Sequence, residues 1–170
     1  MKTKNIAFID GQNLHLGTAS EWWSVDLARF RIFLHDRLQV AEAYYFLGCI
    51  SDEETDLYNS LQKAGFIVSF REHSSVMMGK KKWNVDVDIV FEIMKKLYLK
   101  EEFDQIVLVS GDGDYYKMVK FLLEEERLEK ILFPNKKYSS LYRNMPAQYR
   151  MNIWLPDIRM KIEYKKKGAS

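Results

Sequence analysis

Gln105-Ile106-Val107-Leu108-Val109-Ser110-Gly111-Asp112-Gly113-Asp114 is an apolar, β-compatible run that breaks at once into glycines and acids. It reads as a buried strand, Gln105 to Val109, whose end carries two carboxylates on a tight turn. The chain then becomes helical, with Tyr115, Met118, Val119, Leu122 and Leu123 at the spacing of one helix face. A strand that passes through a short glycine turn into a helix is the unit of a parallel sheet. In open sheets of that kind, sites form beyond the strands' carboxyl ends.

The same grammar recurs at the N-terminus. Asn5 to Ile9 is a short apolar strand ending in Asp10-Gly11-Gln12-Asn13. Further strands are expected at Ala43–Ile50, Phe66–Phe70 and Lys130–Phe133, the last closed by Pro134-Asn135. Between them, 26–38 is helical in pattern, with Asp26 near its start and Leu27, Phe30, Phe33 or Leu34, and Leu38 along one stripe. Ser51 and Glu54 have capping-box spacing, and that helix should end near Gly65. Val85 to Leu99 forms another helix, with Asp86 at its N-terminal end on the side of Val90, Ile93 and Leu97. Arg71 to Trp83 is irregular and is expected to be a hairpin or loop. The alternation of strand and helix predicts an α/β fold, a three-layer αβα sandwich around a mostly parallel, Rossmann-like sheet.

At 170 residues the chain fits one domain, expected over residues 1–160, with 161–170 as a basic tail. The formal charge is only +2, so a nucleic-acid partner is neither required nor excluded. The charge is clustered, however, at Lys80-Lys81-Lys82, Lys136-Lys137 and Lys165-Lys166-Lys167. Such triplets ordinarily mark solvated surface. Cys49 is the single cysteine, which excludes an intrachain disulfide and a multi-thiolate zinc site, and its apolar neighbours suggest a buried thiol. No apolar stretch approaches bilayer length, and Met1-Lys2-Thr3-Lys4 leads straight into a strand. A cytoplasmic protein without a membrane partner is therefore expected.

Asp10, Asp86, Asp112 and Asp114 thus fall at strand or helix ends that this fold would bring to one edge. Carboxylates gathered there repel one another and call for a cation, and an oxygen-only donor set selects a hard one, Mg²⁺ or Mn²⁺. An EF-hand calcium loop beginning at Asp112 fails, because Tyr116, Lys117 and Leu123 stand where an oxygen ligand, a glycine and a glutamate are needed. Taken singly, Asp10 can be an ordinary Asp-Gly turn, Asp86 a helix-start residue, and either Asp112 or Asp114 a helix cap. One cap needs one aspartate, which leaves the second for another purpose. Glu92 is a marginal fifth acid, expected instead to pair with Lys96 four residues on. His15, His35 and His73 have no metal-ligand spacing.

Phe8-Ile9-Asp10-Gly11-Gln12-Asn13-Leu14, Val85-Asp86-Val87 with its helix, and Val109-Ser110-Gly111-Asp112-Gly113-Asp114-Tyr115 together resemble the motifs of NYN domains, relatives of the PIN nucleases with a LabA-like bacterial branch. The segment from Phe133 to Leu141 fits as well, and the similarity spans about residues 4 to 157. The resemblance implies a PIN-like fold, an RNA substrate and a metal-dependent ribonuclease site. Asp10, Asp86, Asp112 and Asp114 match its acidic, metal-binding set, and Asn13 matches the asparagine after the first strand. Trp83-Asn84 stands where many members have Lys-Gly, and Glu92 where many have aspartate.

On this reading Asn13 and Ser110 would orient ligands or substrate, while Lys82, Lys136, Lys137 and Arg143 would meet the RNA backbone. Trp83, Tyr138 and Tyr142 are candidates for stacking on unpaired bases, against the ordinary alternative of packing. Trp22, Trp23, Tyr44 and Tyr45 are expected in the core, with a homodimer surface as the alternative. Two rival functions follow. A haloacid-dehalogenase-type phosphatase needs a second aspartate two residues after Asp10, where this chain has Gln12. An RNA-binding or regulatory module of low catalytic power would gain nothing from four acids facing phosphate.

Overall fold

Alternate residues of the central strands serve two cores. Ala7, Ile9, Val107 and Val109 enter one, while Ile6, Phe8, Ile106 and Leu108 enter the other. Strands buried on both faces need apolar side chains at every position, which is why these segments read as unbroken runs. The computed structural model describes residues 4–48, 54–71 and 85–168. Its elements in chain order are β1 (Asn5–Asp10), α1 (Gly11–Ala19), α2 (Leu27–Leu38), β2 (Val40–Leu47), α3 (Thr55–Ala64), β3 (Ile67–Phe70) and α4 (Asp86–Tyr98). They continue with β4 (Ile106–Val109), a 3₁₀ turn (Gly113–Tyr115), α5 (Tyr116–Glu124), β5 (Leu128–Phe133), β6 (Arg150–Asn152) and α6 (Pro156–Ile162).

The six strands pair in the order β3-β2-β1-β4-β5-β6, and every pairing is parallel. Phe30, Leu34, Leu61 and Ile162 bring α2, α3 and α6 onto the first core. Ile89, Ile93, Val119 and Leu122 bring α4 and α5 onto the second. The result is the expected three-layer α/β sandwich. Strand order reverses between β1 and β4, so the chain leaves these neighbouring strands in opposite directions and opens a crevice beyond their carboxyl ends.

Local signals explain most of the boundaries. Asp26 caps α2 by accepting the Arg29 amide at 3.0 Å. Gly65 ends α3 in the left-handed conformation, with φ 93°, where a Cβ would be strained. Glu54, at the start of α3, makes no side-chain capping bond, and the expected partner Ser51 lies outside the described residues. So do Cys49 and the stretch from His73 to Trp83. On α4, Glu92 approaches Lys95 at 3.9 Å, whereas Lys96 pairs with Glu101 at 2.6 Å. The expected Glu92–Lys96 pair gives way because Lys96 also lies over the Tyr44 ring, directed towards the sheet.

Three elements were not expected: α1, which starts directly at Gly11 with no separate turn, β6 and α6. β6 has only three residues, all half-buried, too few for a visible periodicity. α6 begins with Pro156, a residue that stops helices from inside but suits the first helical position. Ile162 is fully buried, its carbonyl accepts the Asp26 amide at 2.8 Å, and the Tyr164 amide reaches the Ser24 carbonyl at 2.8 Å. The expected division at residue 160 therefore falls inside α6, and the chain through Tyr164 is knitted to the start of α2. Among the described residues, no helix is long and apolar enough to cross a membrane.

Candidate active site

β1 ends on Asp10, and the following helix starts immediately. The carboxylate caps α1 by accepting the Asn13 amide at 3.1 Å, while its other oxygen accepts the Tyr115 hydroxyl at 2.9 Å. Asp10 is only 8 % exposed. Burial pushes its carboxyl above the ordinary range, opposed by those two hydrogen bonds and reinforced by the negative charges of Asp112 and Asp86. Asp10 is thus a fixed, nearly sealed acid within the field of two others.

One strand away, the turn after β4 is built from its own side chains. Ser110 is fully buried, and its Oγ accepts the Asp112 amide at 3.1 Å. Asp112 in turn accepts the Asp114 amide at 3.0 Å, capping the 3₁₀ turn. The single-cap expectation is met by Asp112, which leaves Asp114 exposed at the mouth of the crevice. Asn13 Oδ1 accepts the Gly111 amide at 2.9 Å and so locks the two turns together. A Cβ on Gly111 would lie 3.0 Å from that of Tyr138, so a side chain there would push the β5 exit loop away.

Asp86 comes from a different layer, as the first residue of α4. Its carboxyl is near enough to that of Asp114 to act on it electrostatically. The Asp114 carboxyl is raised first by the charge of Asp112, then by desolvation, and further by Asp86. Asp10, Asp86, Asp112 and Asp114 therefore act on one another electrostatically at the crevice between β1 and β4.

The chain belongs to the NYN domain family. The family's profile matches residues 5–150, and the family lies within the PIN-like nuclease superfamily. Low amplitude and bright protein LabA of Synechococcus elongatus is 26 % identical over 165 residues, covering 92 % of this chain and 86 % of that protein. A crystal structure of a protein of unknown function from Vibrio parahaemolyticus has the same fold, with a TM-score of 0.64 at 21 % identity over 78 % of this chain and 80 % of that one.

In this NYN domain the other expected site residues divide by location. Asn13 and Ser110 act on the loops, since their oxygens are occupied by backbone amides. Lys137 and Arg143 are exposed on the segment that follows β5, and Lys136 lies 5.3 Å from the centre of the Trp154 ring. Lys82 and Trp83 lie outside the described residues. Tyr142 is not available for stacking: it is fully buried, and its hydroxyl donates to the Asp112 carbonyl. Tyr138 is half-buried with its ring stacked on Phe133 at 4.1 Å. Glu92 sits fewer than two helical turns from Asp86 and approaches Lys95 at 3.9 Å.

Tyr115 was missed as a site residue. Its apolar neighbours place it on a helix face, and only the phenolic hydroxyl on a fully buried ring next to Asp114 signals a polar partner. The oxygen-only donors and the mutual repulsion of these carboxyls fit a hard divalent cation. Among the described residues, however, no three acidic, histidine or cysteine side chains stand close enough to form a ready-made metal cage. Asp10, Asp86, Asp112 and Asp114 are the residues that would hold such an ion, after side-chain rearrangement.

Proposed function

We propose that this NYN domain is a metal-dependent ribonuclease that hydrolyses phosphodiester bonds in single-stranded or locally unpaired RNA. The observation that carries the reading is the gathering of Asp10, Asp86, Asp112 and Asp114 near the reversal of strand order, close enough for their charges to act on one another. Bound Mg²⁺ or Mn²⁺ would supply charge neutralisation at the scissile phosphate and acidification of an attacking water.

The chain's own residues supply the positioning. Tyr115 and the Asn13 amide hold the Asp10 carboxylate in one orientation. The Asn13–Gly111 bond keeps the β1 and β4 turns in register, so Asp10 and Asp112 face the same crevice. Asp114, exposed and repelled by Asp112, is the acid with freedom to turn towards an entering phosphate. Lys136, Lys137 and Arg143 stand on the adjoining exit of β5, where they can meet backbone charges. A cytoplasmic location, expected from the sequence, belongs to the same proposal.

Incubating single-stranded and structured RNAs with Mg²⁺ or Mn²⁺, beside an Asp112→Asn control, tests it. Metal-dependent cleavage by the parent that falls at least a hundredfold in the variant is the expected result. Equal cleavage by both proteins would sink the assignment. A second reading, an RNA-binding module of low catalytic power, draws on the lack of a preformed cage among the described residues. It predicts metal-independent RNA binding with no cleavage.

A further inference from the structure

Trp22 stands out among the described residues because it is 94 % exposed and its backbone φ is 61°. The left-handed region is costly for a bulky residue, and a ring left this exposed gains little from packing in return. The sequence-based expectation of a core residue is met by its neighbour Trp23, which is buried beneath Arg159 at 5.1 Å. The turn after α1 therefore anchors one indole and presents the next to solvent.

The surroundings of Trp22 have a definite chemistry. It lines a shallow groove with Arg159, Tyr164 and Lys166. Arg159 is bound to Glu163 at 2.9 Å, so its charge is largely spent, whereas Lys166 is exposed within the basic run Lys165-Lys166-Lys167. Aromatic faces interleaved with cations suit single-stranded nucleic acid, whose bases stack while its phosphates seek positive charge.

The groove also lies on the same sheet edge as the four acids. Gly17 on α1 packs against Pro134, which immediately follows β5. The Asn135 side chain donates to the Gly17 carbonyl at 3.1 Å and to the Ser20 hydroxyl at 3.3 Å. The end of α1 is thus fastened to the exit of β5, with Lys136 over Trp154 beside it. From Asp10 to the end of α1 the helical rise amounts to about 15 Å. At about 3.4 Å per stacked nucleotide, that is roughly four or five nucleotides.

We propose that the Trp22 groove is a secondary RNA-binding subsite, in which an unpaired base four or five nucleotides from the scissile bond stacks on Trp22 while Lys166 and Lys136 meet nearby phosphates. The inference rests on the ribonuclease reading and extends it to substrate length. Fluorescent oligouridines of three and ten nucleotides, titrated into the full chain carrying Asp112→Asn with and without Trp22→Asn, provide the test. Asparagine tolerates the left-handed backbone, and the exposed ring can be removed without opening the core.

The decamer should bind the Trp22→Asn protein about tenfold or more weakly, while the trimer's affinity changes less than twofold. Trp22→Phe should restore decamer affinity while losing the part of the tryptophan fluorescence that the decamer quenches. Decamer binding that ignores Trp22 would overturn the subsite and leave the ribonuclease reading in place. Failure of the parent to bind either oligomer would instead strike at the RNA reading itself.

Discussion

Asp10 and Asp114 belong to the same crevice but are opposites in construction. Asp10 is sealed at a strand end, with both oxygens occupied and its carboxyl raised mainly by burial. Asp114 lies in solvent on a turn made of glycine and acids, and its carboxyl is raised first by its neighbour's charge. The first acid is held by the fold; the second stands exposed on a turn capped by its chain neighbour Asp112. A site arranged this way has a rigid reference point at β1 and an adaptable one after β4. That division suits a centre that must close around an ion and a phosphate without disturbing the sheet.

Asp10→Ala should break the comparison most severely. It removes the cap of α1 and strands the Tyr115 hydroxyl in the core, a loss of about 2–4 kcal/mol by denaturant titration. RNA cleavage should fall by more than about a hundredfold. Tyr115→Phe should come next, because it loosens Asp10 without removing it. Cleavage should drop about ten- to hundredfold. The hydroxyl holds the Asp10 carboxyl down, so its loss raises that carboxyl further. Activity that needs ionised Asp10 should then fail at higher pH on the acid side, and an acid limb unmoved or moved to lower pH would contradict the role assigned to Tyr115.

Asn13→Ala tests the link between the two turns. It should cost about 1 kcal/mol in stability and about tenfold in cleavage, with single-turnover kinetics separating chemistry from binding. Asp114→Asn should have the smallest effect on the fold. With metal withheld, relief of repulsion from Asp112 should raise the melting temperature slightly, and added salt should shrink the difference. A marked destabilisation would show that Asp114 is structural, and the contrast with Asp10 would collapse.

The strand ends were legible wherever a buried run met glycine and acid, as at Phe8 to Gly11 and Val109 to Gly113, although the helix α1 that follows Asp10 was not. Charge and backbone chemistry mark those junctions strongly. β6 escaped because three half-buried residues carry no period, and α6 because Pro156 can end a helix or begin one. The four acids could be named from their positions, yet their unequal burial could not. That inequality depends on Tyr115 and Asn13 reaching across from distant points in the chain. Tyr142 shows the same limit: its type suits stacking, but its packing against Phe133 and its bond to the Asp112 carbonyl assign it to the core.

The seam that joins residues 162–164 to residues 24–26 also bears on how such a protein can evolve. Everything up to Tyr164 is needed to complete the sheet's outer layer, so deletions reaching α6 should be purged by selection for a folded protein. Beyond Tyr164 the lysines emerge beside Trp22 with no packing duty. Lineages can lengthen, shorten or recharge that stretch without disturbing the packed layers.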